Sequence, residues 1–134
     1  MIGFFDCRLL GSERKAELTP EQATFARDED NGLPLQEIVE KYKPTMLLGM
    51  TTVGGLFNKK LITTMNEHCE RPIIFPLSNP TSKAECTAEQ AFEWTNGSCI
   101  FASGSPFDPV TMEDGRKFHP TQCNNSKSFR FFCS

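Results

Sequence analysis

The stretch RPIIFPLSNPTSKAECTAEQAF, Arg71 to Phe92, decides the fold. Its first half, with Ile73, Ile74, Phe75 and Leu77, is a short apolar run of the kind that forms a buried strand. The run stops at Asn79-Pro80. Two helix-start signals then follow at capping-box spacing, Ser82 with Glu85 and Thr87 with Gln90, and Ala88, Ala91 and Phe92 supply an inward face. We therefore expect a strand over RPIIFPLS and one helix over SKAECTAEQAFEW, joined by a loop that carries Asn79.

The same alternation extends to both sides. IGFFD is an apolar run ending at Asp6 and reads as a first strand. Leu35, Ile38, Val39 and Tyr42 recur at i, i+3, i+4 and i+7, the core-facing stripe of a helix, which Pro44 closes. TMLLGM is the next strand, and Leu61, Ile62 and Met65 face inward from the helix after it. CIFAS is a further strand. Near-continuous apolar strands separated by helices require crossover connections, which predicts an α/β fold with a parallel sheet and helices on both faces. From Gly104 onward the helical period is lost. Pro106, Pro109, Pro120 and the Asp114-Gly115 turn predict a loop with a small hairpin lying over the strand ends rather than within the sheet.

Composition narrows the function class. The chain has 134 residues, 38% hydrophobic and 23% charged, with a formal net charge of -3. That length suits one domain, and the charge offers no general attraction to nucleic acid or acidic lipid. Apolar runs such as PTMLLGM and PIIFPL are far shorter than the roughly 20 residues of a membrane helix. MIGFFDCRLLG has no cationic start, so no secretory signal is expected and the setting is the cytoplasm or the mitochondrial matrix. The six cysteines contain no Cys-x-x-Cys pair and read as reduced, mostly buried thiols, not a metal module. Asp28, Glu29 and Asp30 read as a solvated loop, and His68 and His119 as helix-end or loop residues.

Polar and small residues gather where the strands end, where an open parallel sheet binds its ligands. Asp6 ends the first strand and Gly49, Gly54 and Gly55 follow the second. Ser78 and Asn79 end the third, and Ser103, Gly104 and Ser105 the fourth. A carboxylate at a strand end suits a ribose, and a carboxamide offers both donor and acceptor without charge. Taken alone, Asn79 also fits a simple Asx turn before a helix, and Asp6 a turn former.

KPTMLLGMTTVGGLF, CERPIIFPLSNPTSKAECTAEQAF, IFASGSPFDPV and PTQCNN together resemble the nicotinamide-nucleotide domain of malic enzymes, a resemblance that covers residues 3 to 126. It implies a Rossmann-like sheet. It implies, for the full-length protein, oxidative decarboxylation of L-malate to pyruvate and CO₂ with NAD or NADP and Mg²⁺ or Mn²⁺, in a homo-oligomer. By the same resemblance Asp6, Gly49, Gly54, Gly55, Ser78 and Asn79 line the cofactor, and Asn79, Asn124 and Asn125 hold substrate. Gln22 stands where some NADP-using members carry a lysine, which points toward NAD, while Arg8, Arg14 and Lys15 leave NADP open.

The departures from the family set further expectations. Its first strand, glycine-rich phosphate turn, tyrosine and lysine acid and base, and acidic metal ligands have no counterpart here. No catalytic or metal residue can be named, and the isolated chain is expected to be inactive. We expect residues 1–126 to form a partial nucleotide domain and 127–134, with Phe129, Phe131 and Phe132, a divergent tail. Thr121 and Cys123 replace family glycines and would be strained if those positions need positive φ. The alternative reading is an inactive short nucleotide-binding paralogue or interaction subunit.

Overall fold

A computed structural model of the chain describes residues 4–5, 8–9, 19–20, 29–30 and 32–123. The chain divides into two compact units, Met1–Lys43 and Pro44–Ser134.

In the first unit, β1 (Phe4–Phe5) pairs with β2 (Arg8–Leu9) in an antiparallel hairpin. This corrects the expectation of a first parallel strand from IGFFD: a partner only two residues further on offers a hairpin. Helix α1 (Leu35–Tyr42) forms as its spacing requires, with Leu35, Ile38 and Val39 buried. Lys43 ends it in the left-handed conformation, φ 47, and donates its N–H to the Val39 carbonyl at 3.0 Å. Asp30 is not simply solvated; its Oδ2 accepts from Lys41 Nζ at 2.6 Å and from the Tyr42 hydroxyl at 2.5 Å.

The second unit holds a four-stranded sheet. Strands β3 (Met46–Gly49), β4 (Ile73–Pro76) and β5 (Ile100–Ser103) run parallel, with Leu47 opposite Ile74 and Ile74 opposite Phe101. Strand β8 (Thr121–Gln122) joins parallel to β5, with Ala102 opposite Thr121. The tail therefore enters the sheet, contrary to expectation. Neither Thr121 nor Cys123 has positive φ, so the loss of glycine there causes no strain.

Helices α2 (Lys59–His68) and α3 (Ala88–Trp94) connect the parallel strands, and the architecture is an α/β, Rossmann-like parallel sheet with helices. Leu61, Ile62 and Met65 of α2 and Ala88, Ala91 and Phe92 of α3 are buried together with Leu47, Ile74 and Phe101. On the other face Leu48 and Ile100 each remain 40% exposed. Asn58 caps α2 by accepting the Leu61 N–H at 3.0 Å.

Helix α3 is shorter than the sequence suggests. A 3-10 turn (Thr81–Lys83) comes first, the chain is irregular through Cys86, and the helix begins only after Thr87. The capping box formed is Thr87 with Gln90, at 3.0 and 3.1 Å, worth about 1 kcal/mol. Glu85 does not cap; its side chain is fully buried elsewhere. The antiparallel hairpin of β6 (Val110–Thr111) and β7 (Lys117–Phe118) forms around Asp114-Gly115 as expected, pinned by Phe118 stacking on Phe92 at 4.4 Å. The tail at 127–134 lies outside the described residues.

Candidate functional site

The carboxyl ends of β3, β4 and β5 converge on one rim, and the buried carboxylate of Glu85 ties two of them together. Its Oε1 accepts the Thr51 N–H at 2.9 Å, the Thr51 hydroxyl at 2.9 Å and the Ser78 hydroxyl at 2.5 Å. Ser78 Oγ in turn accepts the Thr52 N–H at 2.9 Å. The loop after β3 is thereby fastened to the end of β4. Thr52 sits at φ 58, a costly left-handed conformation for a β-branched residue, of order 1–3 kcal/mol, which persists only where neighbours enforce it. Here its N–H bond to Ser78 and its hydroxyl bond to the Thr51 carbonyl, at 2.6 Å, do so.

The third strand end completes the rim. Ser105 Oγ donates to Asn79 Oδ1 at 2.6 Å, while Ser103 Oγ donates to the Ser105 carbonyl at 2.7 Å. Asn79 is exposed, and its peptide bond to Pro80 is cis. Its Nδ2 donates to the Leu77 carbonyl in a long bond of 3.5 Å and stands 3.0 Å from where a Cβ on Gly104 would be. The sequence suggested a two-way hydrogen-bonding group; in the structure the acceptor takes the short bond from Ser105 and the donor makes only the long one to Leu77.

Glycines at the rim let the chain pack closely on itself. A Cβ on Gly104 would collide with the Leu77 carbonyl, and one on Gly49 with the Glu85 carboxyl group. Gly54 likewise permits the approach of the Ser82 carbonyl, 2.8 Å from where its Cβ would stand. Gly55, at φ +75, donates its N–H to the Ala84 carbonyl at 3.2 Å, and the Phe57 N–H reaches the Glu85 carbonyl at 2.9 Å. The glycine loop thus lies along residues 82–85 and helps bury Glu85.

Of the residues the sequence singled out, Gly49, Ser78 and Asn79 meet at this rim, with Gly104 and Ser105, and Gly54 and Gly55 stand in the adjoining loop. Asp6, Asn124, Asn125, Gln22, Arg14 and Lys15 lie outside the described residues. Sequence reasoning missed Thr51, Thr52 and Glu85. The available signal was a glutamate between Ala84 and Cys86, two small buried residues, where a solvated helix cap would not belong.

Two alternatives are weaker. A cavity of about 520 Å³ lies at the opposite ends of the strands, among Arg71, Cys99, Ile100, Phe118 and His119. Among the described residues no three His, Cys, Asp or Glu side chains gather to hold a metal, so these residues do not fit one. Burial raises the Cys86 thiol well above its ordinary range, and burial also raises Cys99, so both stay protonated.

The family described as "Malic enzyme, NAD binding domain" matches residues 2–131. The chain belongs to the malic enzyme family. It is 50% identical over 128 residues to an NADP-dependent malic enzyme of Mus musculus, covering 96% of this chain and 22% of that protein. It is 50% identical over 126 residues to a hydrogenosomal malic enzyme of Neocallimastix frontalis, covering 93% of this chain and 21% of the relative. An NADP-dependent malic enzyme of Homo sapiens is 48% identical over 128 residues, 96% of this chain and 22% of that protein. The chain thus spans about a fifth of the length of these malic enzymes and corresponds to their nucleotide-cofactor domain. Among the described residues no helix is long and apolar enough to cross a membrane.

Proposed function

We propose that this chain is the nicotinamide-binding part of a malic enzyme, one that oxidises and decarboxylates L-malate to pyruvate and CO₂. The observation that carries the reading is the rim itself: three strand ends locked into one hydrogen-bonded surface, on which the exposed Asn79 is held by the Ser105 hydroxyl. Gly49, Ser78 and Asn79 would hold the nicotinamide half, and Asn79, Asn124 and Asn125 the substrate, with Asp6 at the ribose and Gly54 and Gly55 beside the cofactor. A nicotinamide nucleotide, when bound, supplies the hydride acceptor. The chain's own share is orientation. The Ser105 hydroxyl fixes the Asn79 amide before any ligand arrives, so the donor is positioned without reorganisation, and an uncharged group does not oppose the charge changes of hydride transfer.

For the choice of nucleotide, the uncharged Gln22 supports NAD, whereas the names of the mammalian relatives support NADP. We place the acid, the base and the ligands of Mg²⁺ or Mn²⁺ outside this chain, in the remainder of a homo-oligomeric enzyme of the cytoplasm or mitochondrial matrix.

A chimera tests this directly. The matching 128 residues of the mouse NADP-dependent malic enzyme are replaced by this chain, and malate-dependent formation of reduced nucleotide and pyruvate is followed with Mg²⁺ or Mn²⁺ present. The chimera is expected to turn over while the 134-residue chain alone does not. A folded chimera without activity, or turnover by the isolated chain, contradicts the proposal. The ratio of kcat/KM for NAD and NADP in the same chimera decides the nucleotide.

A further inference from the structure

We propose that Glu85 is a positioning residue for the ligand rim: through Oε1 it holds the Thr51–Thr52 loop against Ser78 and so sets the surface that meets the nicotinamide. The inference rests on the cofactor reading above and adds a residue to it.

The arrangement around Glu85 is costly. Glu85 is 0% exposed, and its Oε2 has no hydrogen-bond partner among the described residues. A carboxylate buried with one oxygen unserved stabilises a fold poorly; an apolar side chain of similar volume serves packing better. What the carboxylate supplies is a single acceptor on which three donors converge, two from Thr51 after β3 and one from Ser78 at the end of β4. Thr51, Thr52 and Val53 are exposed, so packing does little to fix them. Their conformation depends on hydrogen bonds that lead back to Glu85, directly for Thr51 and through the Ser78 hydroxyl for Thr52. The left-handed φ of Thr52 is the strained element that this latch keeps in place. Gly49 belongs to the same device, because a side chain there would occupy the carboxylate's position. Ser78 then passes the constraint on, since its carbonyl lies 3.5 Å from the Ser105 hydroxyl that orients Asn79.

The test uses the ¹⁵N-labelled 134-residue chain and nicotinamide mononucleotide, a probe that needs only the nicotinamide half of a site. Glu85→Gln keeps the shape and an acceptor but removes the charge. It is expected to speed amide exchange at Thr51 and Thr52 about tenfold and weaken binding of the mononucleotide about tenfold, since hydrogen bonds to a charged acceptor are roughly twice as strong as neutral ones. Exchange of the Ile73 and Leu77 amides, bonded within the sheet to Thr45 and Gly49, is expected to stay unchanged. Thr51→Val, at an exposed position where folding is not at risk, removes one of the three donors and is expected to give a smaller effect of the same kind. If Glu85→Gln speeds loop and sheet amides together, Glu85 serves only the fold and the inference is overturned. A loosened loop with undiminished binding overturns it as well, and leaves the cofactor reading standing. A wild-type chain whose rim resonances ignore the mononucleotide removes the cofactor reading and this inference with it.

Discussion

Gly104→Ala is expected to lower the stability of the second unit by about 3 kcal/mol, the upper end of the usual cost of overpacking. The added methyl group would overlap the Leu77 carbonyl oxygen and carbon and stand 3.0 Å from Asn79 Nδ2. Two of those three atoms are backbone at the end of β4, which β3 and β5 hold on either side, so no rotamer change relieves the clash. Strand β5 must shift away from β4, or Asn79 must leave the rim. The shift also strains β8, since the Cys123 N–H bonds the Ser103 carbonyl at 2.7 Å just before Gly104. Urea denaturation followed by circular dichroism measures the loss. Gly115 is the contrast: a Cβ there meets nothing within 4 Å, and only its φ of +84 resists substitution.

Ile74→Ala is expected to cost a similar or larger amount, about 3–4 kcal/mol, from lost burial plus the cavity left behind. Ile74 is fully buried and sits at the centre of the parallel sheet, opposite Leu47 on one side and Phe101 on the other. The surrounding strands cannot close on the gap without breaking that register. Against a total stability of about 5–15 kcal/mol for a typical domain, the variant should be partly unfolded at moderate temperature. Ile74→Val, which removes one methylene, should cost only about 1 kcal/mol. The urea midpoints of the two variants give the comparison, and equal midpoints contradict the packing assigned to Ile74.

The sequence made the parallel strands and the helices legible because each reports its own periodicity. Leu35, Ile38 and Val39 declare a helix face wherever the rest of the chain goes, and Leu61, Ile62 and Met65 do the same. The rim was half legible: strand ends are where an α/β sheet offers its unpaired groups, so Ser78, Asn79 and Gly104 could be located before any coordinates. Glu85 could not. Its spacing from Ser82 mimics a capping box, a local signal, whereas its partners are Ser78 at the end of β4 and Thr51, which lies 34 residues earlier and is brought near only by the pairing of β3 with β4. Thr52 was missed for a related reason, since the glycines of the loop drew attention, whereas a left-handed backbone falls on Thr52 as well as on Gly55. Strand β8 escaped because two polar, exposed residues carry no apolar pattern, and its place beside β5 rests on backbone bonds and on the Gln122 side chain, which donates to the Gly104 carbonyl at 3.4 Å. The IGFFD segment was misread because its apolar run is the same whether its partner is a distant parallel strand or, as found for β1, the neighbouring β2.

We propose that the carboxyl ends of β3, β4 and β5 form the nicotinamide site. A crystal structure of the chain soaked with NAD or NADP tests it most directly. The account predicts the nicotinamide against Gly49, Ser78 and Asn79, with the Asn79 amide donating to it and the Glu85 latch intact. A dinucleotide seated instead at the opposite strand ends, in the cavity among Arg71, Ile100 and His119, would contradict it.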